Sequence, residues 1–199
     1  MKNEATLHPV ILSVPQNARQ LTPRDLVGYL SRHAREALRL SAEMSGFDMG
    51  EPLKDKDGQP LPTNGIYWSL THKPDYVAAV VARRPIGIDV EKITERKTLA
   101  IFDKVADPTE WALIGARSWE GFHRYWTAKE AVLKAEGTGL RGLSHCRVIG
   151  VQDAFNLTIQ VGNRRMTVEH HYFDKHIASV VKSAGAVCWA IVNPLIDSA

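Results

Sequence analysis

Residues 66–92, IYWSLTHKPDYVAAVVARRPIGIDVEK, decide the fold. Three short runs rich in β-branched and aromatic residues, Ile66 to Leu70, Tyr76 to Ala82 and Ile86 to Glu91, are parted by His72-Lys73-Pro74 and Arg83-Arg84-Pro85. Proline cannot donate to a sheet ladder, so each break ends a strand, and the spacing predicts an antiparallel meander. In the last run Asp89 and Glu91 stand two residues apart. A strand sends both carboxylates to one face, roughly 6 to 7 Å apart. Two like charges so placed either look into solvent from an edge strand or have a cation between them.

Outward from this stretch the chain alternates. Upstream, Gly50 to Gly65 holds three prolines and three glycines and reads as loop. Before it, Thr22-Pro23-Arg24-Asp25 is a helix start, with an N-cap, a proline at the first helical position and an acid three residues after the cap. That helix runs toward Gly46, with Leu26, Leu30, Ala34, Ala37, Leu38, Ser41 and Met44 on one face and Arg32, Arg35 and Arg39 on another. The arginine stripe is either a solvated surface or an anion contact. Downstream, Asp107-Pro108-Thr109-Glu110 opens a second helix, and Trp119 to Glu136 forms a third, closed by Gly137. Strands are expected over Cys146 to Val151, Phe155 to Val161, Met166 to Tyr172, Ile177 to Val181 and Val187 to Val192.

Helix followed by sheet, twice over, defines an α+β chain of two similar halves, a pseudo-dimer in which each half is a small antiparallel sheet packed with helices. The halves are expected at residues 1–100, carrying His72, Asp89 and Glu91, and 101–199, carrying the Trp119 to Glu136 helix, with the junction near residues 95 to 105. A monomer is expected from that length.

With 199 residues, 44% hydrophobic and 24% charged, the chain has the balance of a globular protein. A net charge of +3 is too small for wholesale nucleic-acid wrapping. Cys146 and Cys188 form no Cys-x-x-Cys pair, so neither a disulfide framework nor a zinc knuckle is expected, and reduced thiols in cytoplasm fit best. The first 15 residues lack the charge and apolar core of a signal peptide, and no run approaches the about 20 apolar residues of a membrane span.

A second constellation lies in Trp126-Thr127-Ala128-Lys129-Glu130-Ala131-Val132-Leu133-Lys134, on the helix whose apolar stripe is Phe122, Tyr125, Trp126 and Leu133. Glu130 and Lys134 are one turn apart. They form either a surface pair worth about 0.2–0.5 kcal/mol, or a carboxylate for metal or proton beside a cation for phosphate charge. Walker loops and Ser-His-Asp arrangements are absent from the sequence.

Gly87-Ile88-Asp89-Val90-Glu91-Lys92, followed some 35 residues later by Trp126 to Lys134, resembles the paired signature of the 4′-phosphopantetheinyl transferases, (V/I)G(V/I)D(V/I/L)E and WxxKEAxxK. Ser69-Leu70-Thr71-His72 resembles the family's Ser-His motif, and Asp57-Gly58-Gln59-Pro60 its Gly-Lys-Pro loop. The likeness covers roughly residues 30 to 140 and is closest to the single-chain Sfp type, in which the active site lies between two similar α+β halves.

The resemblance implies a Mg²⁺-dependent transfer of phosphopantetheine from coenzyme A to a serine of an apo acyl or peptidyl carrier protein, of fatty-acid, polyketide or nonribosomal-peptide synthesis. It further implies Asp89, Glu91 and Glu130 as metal ligands, and Glu130, or water held by the acids, as base, with Glu91 and Lys134 in the catalytic set. Lys134 would stabilise the leaving adenosine 3′,5′-bisphosphate, and His72, with Thr71 and Arg35, would contact the nucleotide phosphates. Thr71 replaces the family's usual serine, and Gln59 its common lysine. An inactive homologue that binds carrier protein or coenzyme A would be expected to have lost part of the acid set. All of Asp89, Glu91, Glu130 and Lys134 are present.

Overall fold

The computed structural model describes residues 6–182 and 185–193. Its first sheet has the strand order β2-β3-β1-β9, from β1 (Val10–Ser13), β2 (Tyr67–His72), β3 (Tyr76–Ala82) and β9 (Ala190–Val192). The second has the order β4-β8-β7-β6-β5, from β4 (Ile88–Lys92), β5 (Cys146–Val151), β6 (Asn156–Val161), β7 (Arg164–Phe173) and β8 (His176–Lys182). One long helix packs on each, α1 (Pro23–Met44) on the first and α4 (Trp119–Glu136) on the second, with the short α2 (Ile101–Val105) and α3 (Pro108–Ala112) between them in sequence. The architecture is the α+β pair of helix-backed sheets expected.

Local chemistry sets the helix ends. The Thr22 hydroxyl accepts from the backbone N–H of Asp25 with Pro23 behind it, and Asp107 and Glu110 form a reciprocal capping box. Gly137 takes the left-handed conformation that ends α4, at φ 68°.

The first sheet is covered on both faces. Val10, Leu12, Trp68, Val77, Ala79 and Val81 meet α1 through Leu30, Ala34, Ala37 and Leu38. Ile11, Ala78, Val80 and Ala82 point the other way, into the core that holds α4 and the second sheet. This explains why β3 is an unbroken apolar run rather than an alternating one.

The meander is corrected at its third strand. β2 and β3 form the antiparallel hairpin, but β4 leaves it and pairs antiparallel with β8. The cause lies in burial: Ile88 and Val90 are 0% exposed, and α4 is the element that covers them. Gly87 permits the approach, because a Cβ there would stand 1.8 Å from the carbonyl oxygen of Ala131. In exchange, β9, within the strand expected over Val187 to Val192, returns to the first sheet and runs parallel to β1, a pairing not anticipated from the sequence. Each sheet thus carries one strand from the other end of the chain. Among the described residues no helix is long and apolar enough to cross a membrane.

Candidate active site

β2 and β4 are the edge strands of their respective sheets, and they meet at the seam between them. Alternation along β2 turns Trp68 and Leu70 toward α1 and Ser69 and Thr71 toward β4. The Ser69 hydroxyl accepts from the backbone N–H of Ile88 at 3.2 Å, which locks the two edges together. One step on, the Thr71 hydroxyl donates to Asp89 Oδ1 at 2.9 Å.

α4 closes the seam from the other side. Lys134 Nζ donates to Asp89 Oδ1 at 2.8 Å and to the carbonyl of Ile88 at 3.0 Å. Trp126 Nε1 donates to Glu91 Oε1 at 3.1 Å, with its ring parallel to that of Phe122. The same Glu91 oxygen accepts from Lys73 Nζ at 2.7 Å. Asp89 and Glu91 are both buried, and Asp89 Oδ2 is enclosed without a hydrogen-bond partner. The half-buried Glu130 carboxylate accepts no hydrogen bond from any other described residue.

The electrostatics follow from this crowding. Burial, reinforced by Asp89 and Glu91, holds the Glu130 carboxyl above its ordinary range, although Lys134 and Lys73 pull the other way. Burial alone would depress the Lys73 ammonium, but its bond to Glu91 and the fields of Asp89, Glu91 and Glu130 outweigh that and raise it. His72, at the open end of β2, is held below the ordinary imidazole range by partial desolvation and then by the charges of Lys134, Lys73 and Lys54. Lys54 belongs to the turn that includes Asp57 to Pro60, closed by the backbone N–H of Gln59 on Asp55 Oδ1 at 2.9 Å, so this loop lies within electrostatic reach of His72.

Asp89, Glu91, Glu130, Lys134 and Thr71 therefore gather at one seam, with His72 at its rim. Arg35 does not join them. It lies on the exposed side of α1, bonded to Ser31 of its own helix, in a cleft of about 470 Å³ with Arg32, Arg39, Phe47 and Met49. The first sheet stands between α1 and α4. Lys73 and the Trp126 indole are the site groups missed from sequence. An expected strand ending at Leu70 stopped two residues short of the signal, because β2 runs on to His72 and the alternation of Ser69 and Thr71 carries to Lys73.

The donor set suits a hard cation: three carboxylates and an enclosed oxygen without a partner. As the side chains stand, no three His, Cys, Asp or Glu groups among the described residues are close enough to grip a metal, and the ammonium groups of Lys73 and Lys134 stand on two of the acids.

This pairing of an acid strand with a Lys-Glu helix is that of a known class. The chain belongs to the 4′-phosphopantetheinyl transferase superfamily, whose sequence profile matches residues 85–191, more than half of its 199 residues. Among individual relatives, a 4′-phosphopantetheinyl transferase of Bacillus subtilis is 27% identical over 122 residues, 59% of this chain and 53% of that protein. The 4′-phosphopantetheinyl transferase HetI of Nostoc sp. is 32% identical over 108 residues, 51% of this chain and 46% of that one. The 4′-phosphopantetheinyl transferase gsp of Aneurinibacillus migulanus is 26% identical over 91 residues, 44% and 38%. The chain spans about half the length, or less, of these curated relatives.

Proposed function

We propose that this protein transfers the 4′-phosphopantetheine arm of coenzyme A to a serine hydroxyl of an apo acyl or peptidyl carrier protein, releasing adenosine 3′,5′-bisphosphate. The observation that carries the reading is the buried Asp89 carboxylate, one oxygen accepting two hydrogen bonds and the other without a partner, at a seam that also holds Glu91, Glu130 and Lys134. A site between the halves 1–100 and 101–199 follows, with one chain supplying every group, which accords with action as a monomer. The free state of both cysteines accords with the cytoplasm.

Asp89, Glu91 and Glu130 are the residues that would hold Mg²⁺, which when bound neutralises diphosphate charge and orients the reacting groups. Glu130 is the acceptor for the serine proton: it is not committed to another hydrogen bond, and its raised proton affinity suits a base. The serine oxygen forms a bond to the phosphorus bearing the pantetheine, the bond from that phosphorus to the bridging oxygen breaks, and the bisphosphate leaves with the electron pair. Lys134, fixed by Asp89 and Ile88 one turn from Glu130, meets the charge that develops on the leaving oxygen. His72, ringed by Lys54, Lys73 and Lys134, faces the nucleotide phosphates. Thr71 acts through Asp89, which its hydroxyl orients. No protein nucleophile is required, because phosphoryl transfer depends mainly on positioning and charge.

The test is the intact mass of an apo carrier protein incubated with this protein, coenzyme A and Mg²⁺, beside a metal-free control. Addition of one phosphopantetheine that needs the metal is the expected result. No addition across fatty-acid, polyketide and peptide carriers, with coenzyme A still bound, overturns the transfer; no binding of coenzyme A overturns the site.

A further inference from the structure

We propose that the Lys73 ammonium is the resident counter-cation of the acid cluster, and that a divalent cation reaches Glu91 by displacing it. This rests on the reading above, in which the acids form a cation site. Glu91 Oε1 already accepts two hydrogen bonds, from Lys73 Nζ at 2.7 Å and Trp126 Nε1 at 3.1 Å. Both lone-pair sites of that oxygen are taken, and a divalent cation on either oxygen of the carboxylate would stand beside the Lys73 ammonium, whose like charge opposes it, so one donor has to leave.

The surroundings select which one. The Trp126 indole is half-buried and stacked along Phe122, on a helix pinned by the rest of the core. The Lys73 side chain is 34% exposed and hangs on a flexible four-carbon stem, with water on the outward side. Its backbone is fixed. Lys73 N–H donates to the carbonyl of Tyr76 at 2.8 Å, and Asp75 in the same turn is held by Arg19 Nη1 at 2.7 Å and Lys92 Nζ at 2.8 Å. Displacement therefore swings a side chain while the turn stays in place, and the freed ammonium remains at the mouth of the site, where a diphosphate would meet it.

Replacing a single positive charge by a double one while breaking an ion pair makes the free protein bind cations more weakly than its three carboxylates would without Lys73. Calorimetric titration of the whole chain with Mn²⁺ and with Mg²⁺, without coenzyme A or carrier protein, reads this directly. Lys73→Gln is expected to bind about tenfold more tightly than wild type. Lys73→Arg, which keeps a cation there, is expected to stay near wild type. Lys92→Gln removes an equal charge next in sequence to Glu91, but one paired with Asp75, and is expected to change affinity far less than Lys73→Gln. Thermal unfolding confirms that each variant is folded, and Lys73→Met serves if Lys73→Gln is not. Equal affinity of wild type and Lys73→Gln, with metal binding lost in Asp89→Asn, overturns the displacement and leaves the cation site standing. Equal tightening by Lys92→Gln also overturns it, since general charge would then suffice. No metal binding by any variant, even with coenzyme A present, overturns the cation site itself.

Discussion

Two lysine–carboxylate pairs flank α4, and they are finished differently. Lys129 Nζ meets Glu110 Oε1 at 2.6 Å and the carbonyl of Val105 at 2.6 Å, while the backbone N–H of Val148 donates to the same carboxyl oxygen and that of Asp107 to the other. Both side chains are almost completely enclosed, at 2% and 5% exposure. Lys134 and Asp89 also meet, at 2.8 Å, but the lysine is 29% exposed and Asp89 Oδ2 has no partner. The first pair is a closed joint between α3, α4 and β5. The second is open by one oxygen and one solvent-facing cation, and a structure that needed only a joint would have satisfied both. Two lysines five residues apart in one motif are thus finished as a closed joint and as an open pair.

The sharpest way to break this contrast is to remove each acid in turn. Asp89→Asn or Glu130→Ala is expected to lower kcat/KM for carrier-protein modification by about 10³-fold or more, with the thermal midpoint changed little. Near-wild-type transfer by either variant would put the chemistry elsewhere. Lys129→Met is expected to do the opposite, costing about 3–5 kcal/mol in urea unfolding because it leaves the Glu110 carboxylate buried and uncompensated. Adding Glu110→Gln to it should recover much of that loss. If Lys129→Met unfolds no more readily than wild type, the pair is not a structural joint.

An enclosed unpartnered atom does not mark a site on its own, as His170 shows. Its Nδ1 faces the Ser179 hydroxyl at 2.8 Å, which in turn meets Thr127 at 2.6 Å, while Nε2 is buried with no partner. Among the described residues no carboxylate bonds to this ring, and Asp153 acts on it only through its field. Burial, with a smaller push from Arg124, lowers the imidazole from 6.5 to about 3, so the ring stays neutral in the core. In the unfolded chain it takes up a proton below about 6.5, whereas in the folded protein it does so only near 3. Stability therefore falls as pH drops through that window, by about 1.4 kcal/mol per pH unit at most. Urea unfolding at pH 7 and pH 4 should show the loss, and His170→Gln should flatten it. An equally steep acid limb in His170→Gln would assign it to other groups.

The two helix-backed sheets and the acid cluster were legible in the sequence because they rest on local rules: caps at Thr22 and Asp107, the glycine stop at Gly137, the period-two placement of Asp89 and Glu91, and the one-turn spacing of Glu130 and Lys134. The exchange of β4 and β9 between the sheets was not, since pairing partners depend on which core covers a strand and not on its own residues. Arg35 shows the same limit in the site. A stripe on a helix face states which residues share a face, but the side of the sheet on which that helix packs is a tertiary fact. Lys73 was hidden by a strand boundary two residues short, an ordinary uncertainty of element ends with a large chemical consequence.

The smallest expected effect concerns the rim. Gln59 stands in the turn of Lys54 to Pro60, whose Lys54 already contributes to the field at His72. A lysine at position 59 adds one more positive charge to a region where Lys54, Lys73 and Lys134 converge. Exposed charge pairs yield little in salt solution, so Gln59→Lys is expected to tighten coenzyme A binding only about twofold to fivefold, by calorimetry at low ionic strength. The gain should vanish in high salt, and it should be smaller for dephospho-coenzyme A if the turn faces the 3′-phosphate. Unchanged affinity at low salt would show that the turn looks away from the nucleotide, and would leave His72 as the rim contact from this half of the chain.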